Sequence, residues 1–162
     1  DALAECDAAF VHVAAASVPV VSLQDARIRL LAGSCWGQQS AVPETSPLVA
    51  AIIELPAGGT VRLPLAYSEC AFLLIDGEVD VQHMPMPEGA LVVLDSGDEV
   101  LLHSQTATRL LFLAGEPVGS RYLWWNFVAR GRERIDQAKA DWREGRFGQI
   151  AGEQAPVALP ER

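Results

Sequence analysis

From residue 27 to residue 114 the chain repeats one short unit. A run of residues is apolar, or alternates apolar with polar, and a cluster of turn residues follows. Residues 27–32 alternate as Arg-Ile-Arg-Leu and stop at Gly33. Residues 48–55 are mostly apolar and end at Pro56-Ala57-Gly58-Gly59. Residues 60–65 alternate again, with Val61, Leu63 and Leu65 on one face. The unbroken apolar run 71–75 predicts a central strand buried on both faces. Asp76-Gly77 reads as a hairpin turn, because both residues tolerate positive φ. Residues 78–82 then alternate, with Val79 and Val81 inward, and 83–89 form a proline-containing loop. Strands over 91–94 and 99–102 flank the turn Asp95-Ser96-Gly97-Asp98, and 108–114 form a further strand closed by Gly115-Glu116-Pro117. Short strands joined by turns rather than helices predict an antiparallel sandwich or barrel.

The two ends differ from this rhythm. Residues 1–18 are alanine-rich without a period and read as a lead-in or linker, poorly anchored at Asp1 to Asp7. Pro19 then admits a short edge strand to Leu23. Residues 34–47, with Gly37, Pro43 and Pro47, read as a loop. Residues 131–144 place Ile135, Ala138 and Trp142 at helical spacing with charges between them, so a helix is expected there. Gly145 suits the residue after its end, Arg143 suits the negative end of its dipole, and Arg132 can pair with Asp136. The main domain is expected over 19–150 and a loose tail over 151–162.

A formal charge of −9 opposes direct binding to nucleic acid or to anionic lipid, both of which need a positive surface. No apolar run approaches the ~20 residues of a helical span, so a soluble cytoplasmic protein is expected. Cys6, Cys35 and Cys70 are widely spaced and odd in number, which favours reduced thiols over a disulfide framework or a zinc site. The chain starts at Asp1 without a basic end and apolar signal core, and it reads as a piece of a longer protein.

Residues 56–81, PAGGTVRLPLAYSECAFLLIDGEVDV, resemble the metal hairpin of cupins. The fold implied is a cupin-type jelly roll with a C-terminal α-helix. That motif places two His and a Glu between two glycines, and a second motif adds another His. Counted from Gly59, the His positions fall on Leu65 and Tyr67. Counted back from Gly77, the Glu position falls on Cys70. Counted from Gly97, the last His position falls on Val100. A first-row metal needs about three or four converging N, O or S donors. Leucine and valine offer none, so no cofactor is expected in this chain.

Gly115-Glu116-Pro117 and the segment WWNFVARGRERIDQAKADWREGRFG over 124–148 resemble the end of pirin-family proteins. Phe127-Val128, Ile135-Asp136-Gln137-Ala138 and Gly145-Arg146-Phe147-Gly148 carry the likeness. Residues 27–33 followed by Cys35-Trp36-Gly37 are similar to the opening of the family's second cupin domain. The resemblance covers roughly residues 10–150. It implies that the iron site belongs to a first cupin domain, which this chain lacks, since it holds no His-x-His. Pirin-family proteins are linked to quercetin dioxygenation and to transcriptional co-regulation.

Other candidates are weaker. His12, His83 and His103 lie on different segments, and strand alternation turns His103 away from Val100, so surface or hydrogen-bonded roles are expected. Glu69 and Cys70 beside the slot could offer a carboxylate or a thiol, but no neighbouring cation is evident to activate the thiol. Tyr67 could give its hydroxyl to a small ligand. Trp124, Trp125 and Trp142 would either cover the open end of the barrel or anchor an interface. Arginines 130 to 134 read as a solvated face.

The expected function is that of a metal-free C-terminal cupin domain, acting as scaffold for an absent iron-binding N-terminal cupin domain. No catalysis is expected of this chain alone. The alternatives are a part of a quercetin dioxygenase-like oxidoreductase, or a homodimerising small-ligand-binding cupin. The expected partners are the missing N-terminal domain and a second copy of the chain.

Overall fold

The computed structural model describes residues 10–94, 97, 99–148, 152 and 157–160. Readings made for Cys6, for the start at Asp1, for Asp95, Ser96 and Asp98, and for most of the tail lie outside these residues. The chain divides into two compact units, one ending at Pro117 and one beginning at Val118.

The first unit is a two-sheet sandwich. After a 3-10 turn over Ala15–Ser17 come β1 (Val20–Leu23), β2 (Ala26–Cys35), β3 (Gln38–Gln39), β4 (Leu48–Leu55), β5 (Thr60–Pro64), β6 (Glu69–Asp76), β7 (Val79–Val81), β8 (Met84–Pro85), β9 (Leu91–Leu94), β10 (Glu99–Ser104) and β11 (Thr108–Gly115). The larger sheet runs β1-β2-β4-β11-β6-β9, with β3 on β2, and the smaller runs β5-β10-β7-β8. Every strand pair is antiparallel.

Strand alternation builds the core. Val49, Ala51, Ile53 and Leu55 of β4 point inward, as do Leu110 and Phe112 of β11 and Phe72 and Leu74 of β6. From the smaller sheet they meet Val61, Leu63, Val79, Val81, Val100 and Leu102 in one cluster. Phe72 and Phe112, in register on neighbouring strands, lie with ring centroids 5.0 Å apart. Fully burying a side chain of this kind contributes about 1.5–3 kcal/mol.

Several expectations are corrected. The run 71–75 is not buried on both faces: Ala71 and Leu73 are half-buried and Ile75 is 45% exposed. The apolar outer positions misled, because burial on a second face needs a covering layer that sequence does not reveal. Asp76-Gly77 does not join two paired strands. It hands the chain from β6 in the larger sheet to β7 in the smaller. Gly33 does not end its strand but lies within β2, at φ +83. The loop over 34–47 contains β3, which pairs with Ser34 and Cys35, and the loop over 83–89 contains β8. The strands over 91–94 and 99–102 belong to different sheets.

The crossings between sheets are pinned by polar contacts. Ser104, fully buried, has its Oγ 2.5 Å from the Pro56 carbonyl and 3.1 Å from that of Gly59. Its own N–H and C=O bond Gly59 and Gly58 of the same turn. On the adjacent crossing, Thr108 Oγ1 lies 3.0 Å from the Glu78 carbonyl, and the Thr106 hydroxyl accepts from the Glu78 N–H at 3.0 Å.

The second unit holds β12 (Tyr122–Trp124) paired with β13 (Phe127–Ala129), and α1 (Arg132–Arg143). Ile135 and Ala138 are buried, as their spacing requires, and Trp142 is half-buried. Gly145 follows the helix at φ +69. The expected Arg132–Asp136 pair does not form. Arg132 lies over the Tyr122 ring at 5.3 Å, and Asp136 faces Lys139 at 3.6 Å. No helix among the described residues is long and apolar enough to cross a membrane.

A Cβ on Gly33 would sit 1.7 Å from the Leu48 carbonyl oxygen, and its φ disfavours any side chain. Gly33→Ala should therefore cost about 3 kcal/mol or more in urea unfolding, and Ser104→Ala about 1 kcal/mol through the lost hydroxyl hydrogen bond, since both carbonyls keep their backbone donors. Wild-type stability in both variants would contradict this account of the sheet pairing and the crossing.

Candidate functional site

The four positions that correspond to cupin ligands come from two strands and the turn between β5 and β6. Leu65 and Tyr67 stand in that turn and pack against the core. Cys70 opens the inward face of β6, 4% exposed. Val100 lies in β10 opposite Leu63 and is fully buried. The Tyr67 hydroxyl donates to the Ser34 carbonyl at 3.2 Å, and Cys70 Sγ lies 3.5 Å from the Tyr67 carbonyl. The turn is held from outside by Glu116, whose carboxylate accepts from the Ser68 hydroxyl at 2.8 Å and from its N–H at 3.3 Å.

Two further residues, Cys35 and Trp36, pack with these positions against the core. Trp36 and Gly37 take successive positive φ values of 49° and 72°, turning the chain from β2 into β3. Their signal in the sequence was the Cys35-Trp36-Gly37 likeness inside an apparent loop. The Trp36 ring packs 5.7 Å from Phe112, and its indole N–H is buried without an acceptor among the described residues.

Burial pushes both thiols up. For Cys35 desolvation is the largest cause, offset by a backbone hydrogen bond and reinforced by Cys70. For Cys70 desolvation again leads, with Glu116 adding to it. Tyr67 is raised by desolvation first, then by Glu44, Cys35 and Glu116. None of these shifts favours a nucleophile or an anionic ligand at neutral pH.

Iron does not fit these residues. Leu65 and Val100 carry no donor atoms, the Tyr67 hydroxyl is directed to a carbonyl, and the Cys70 thiol is held protonated. Glu69 alternates away from Cys70 and is exposed. His12 and His83 are exposed, and His103 Nδ1 lies 3.0 Å from Thr60 Oγ1 on the face opposite Val100. Among the described residues, no group of three or more His, Cys, Asp or Glu is arranged to hold a metal ion.

The tryptophans form a separate cluster in the second unit. Trp125 meets Trp142 edge-on at 5.0 Å, Trp124 stacks with Phe127 at 6.2 Å, and Phe127 stacks with Phe147 at 5.7 Å. Lys139 Nζ sits 4.2 Å from the Trp124 ring, and Trp142 Nε1 donates to the Val157 carbonyl at 2.7 Å. These rings hold the β12–β13 hairpin and α1 together.

Residues 50–148 match the pirin C-terminal cupin domain. The chain is 38% identical over 144 residues to a pirin-like protein of Caulobacter vibrioides, covering 88% of this chain and 50% of that protein. A crystal structure of quercetin 2,3-dioxygenase from Acinetobacter baumannii superposes with a TM-score of 0.78 at 30% identity, covering 90% of this chain and 52% of that one. A second structure under the same name superposes equally well, TM-score 0.78, at 24% identity, covering 85% of this chain and 50% of that one, and supports the fold alone. The chain spans about half the length of the curated relatives it matches.

The half-buried Cys35 and buried Cys70 thiols, both held protonated, should react slowly. Modification of Cys35 and Cys70 by a disulfide reagent near pH 7.5 is expected to be at least about tenfold slower in the folded chain than in urea. Because both folded thiols ionise later than unfolded ones, their contribution to stability is full below the ordinary thiol range near 8.5. It is lost as pH rises through the raised values, so urea midpoints should fall above that range. Fast native labelling of both, or a stability that rises with pH there, would contradict the burial described.

Proposed function

The chain belongs to the pirin family, and we propose on that premise that it is a cupin domain whose task is structural rather than catalytic. It keeps the strand framework of a metal cupin and serves as the scaffold on which an iron-binding N-terminal cupin domain is shaped, in the cytoplasm. The observation that carries this reading is the set Leu65, Tyr67, Cys70 and Val100, which occupies the ligand positions with side chains that cannot grip a cation. The half-length match to its relatives supports a division of labour between two domains. A scaffold needs a rigid interior more than a solvated cavity, and large apolar groups at Leu65 and Val100 supply it.

A second reading has one observation in its favour, the 30% identity to a structure named as a quercetin 2,3-dioxygenase. Under it the chain would be a portion of a related oxidoreductase.

Isothermal titration of ferrous ion into the purified chain, with elemental analysis of the product, separates the two. The scaffold reading predicts less than about a tenth of an equivalent of tightly bound iron and no flavonol consumption by this chain alone. One equivalent of iron bound through imidazole, or flavonol turnover, would sink it.

A further inference from the structure

The outer face of the larger sheet is unusually apolar. Two rows of side chains cross it beside a charged edge. In the first, Ile52, Leu111, Leu73 and Leu91 are in register across β4, β11, β6 and β9. In the second, Leu113 and Val93 lie in register with Ala71 between them. Leu113 is 40% exposed, Leu91 54% and Val93 69%. Such a strip, rimmed by polar groups, is the mark of an interaction surface.

The rim indicates what covers it. Arg27, Glu54, Arg109 and Asp76 form one row across β2, β4, β11 and β6, each in register with the next. Their charges alternate along that row. Consider a two-fold axis in the plane of the interface, parallel to the strands and passing between β4 and β11. It lays the row over its own reverse. Glu54 then faces Arg109 of the second copy, and Arg27 faces its Asp76. One row inward, Ile52 faces Leu111 of the second copy and Leu73 faces its Arg29, whose guanidinium, like that of Arg27, is held by Glu54 of its own copy. On the outermost strands Leu91 faces its Val20, itself 46% exposed and in register with Arg29. A two-fold interface must be self-complementary in this way, and a row with a single sign of charge would have forbidden it.

We propose that this face is a docking surface for a second copy of the chain, giving a two-fold sheet-on-sheet dimer. Strand spacing and rise set a footprint on the order of 500 Å² per copy, so that about 1,000 Å² is buried in all, the lower bound for a specific interface. The dimer is therefore of modest affinity. The surface is independent of the scaffold reading, which names no face.

Sedimentation of the whole chain over a concentration series tests it. At roughly 100 μM, where a marginal interface of this size is populated, two-chain mass is expected. Arg109→Glu sets two pairs of carboxylates against each other across the axis, and Glu54→Arg sets two pairs of cations. Each should weaken the dimer at least tenfold. An equimolar mixture of the two variants should restore it, since every opposed pair is then of opposite sign. Leu113→Asp, which leaves the rim intact, should also dissociate the dimer, and it decides the matter with Arg109→Glu if Glu54→Arg fails to fold. A wild-type chain that stays monomeric overturns the proposal, even if this face instead takes up the N-terminal half of a pirin-like protein. So does a dimer that neither Arg109→Glu nor Leu113→Asp weakens, or a mixture of well-folded charge variants no tighter than either alone.

Discussion

One apolar interior, shared by two sheets, governs the rest of the first unit. Phe72 and Phe112 meet at its centre from adjacent strands, and Val100, Leu63 and Leu102 close it from the facing sheet. Because the strands leave one sheet and enter the other repeatedly, the core exists only if the crossings hold. Ser104 and Thr108 are the two polar residues buried there, and both bind backbone of the turns that make the crossings. Polar groups sunk in an apolar core are costly unless satisfied, and these hydroxyls are satisfied by turn carbonyls that also accept backbone N–H groups.

The same packing explains the slot. The positions that correspond to cupin ligands lie in the turn between β5 and β6, on β6 and on β10. Here those positions are occupied by the side chains that complete the core. Leu65 and Val100 extend it, and Cys70 sits at its margin with a thiol kept neutral by burial. The interior has gained hydrophobic contact at the positions where a metal protein would hold charge. That exchange is consistent with a domain valued for rigidity.

Most of the strands were legible in the sequence, because a buried face imposes a period of two on strands such as β4, β5 and β11. The positions counted from the turn glycines fall on the turn between β5 and β6, on β6 and on β10. Which sheet each strand joins was not legible. Asp76-Gly77 has the chemistry of a hairpin turn, yet it connects different sheets: periodicity records the inward face of a strand but not its neighbour. Gly33 looked like a terminator, whereas it is a point of close backbone approach to Leu48, visible only once β2 and β4 are paired. The outer face of β6 was read as buried because its residues are apolar; sequence reports polarity, and burial depends on what lies above. The contact of Trp36 with Phe112 was hidden for a related reason, as it joins residues far apart in the chain.

The central claim is that the metal framework persists and only its donors are gone. Returning them is the most direct test. The variant carrying Leu65→His, Tyr67→His, Cys70→Glu and Val100→His, checked for folding by circular dichroism, should bind about one equivalent of cobalt(II) with a ligand-field spectrum, while the wild-type chain shows none. A folded variant that binds no more cobalt than the wild type would contradict the account, because the four positions would then not converge on a point.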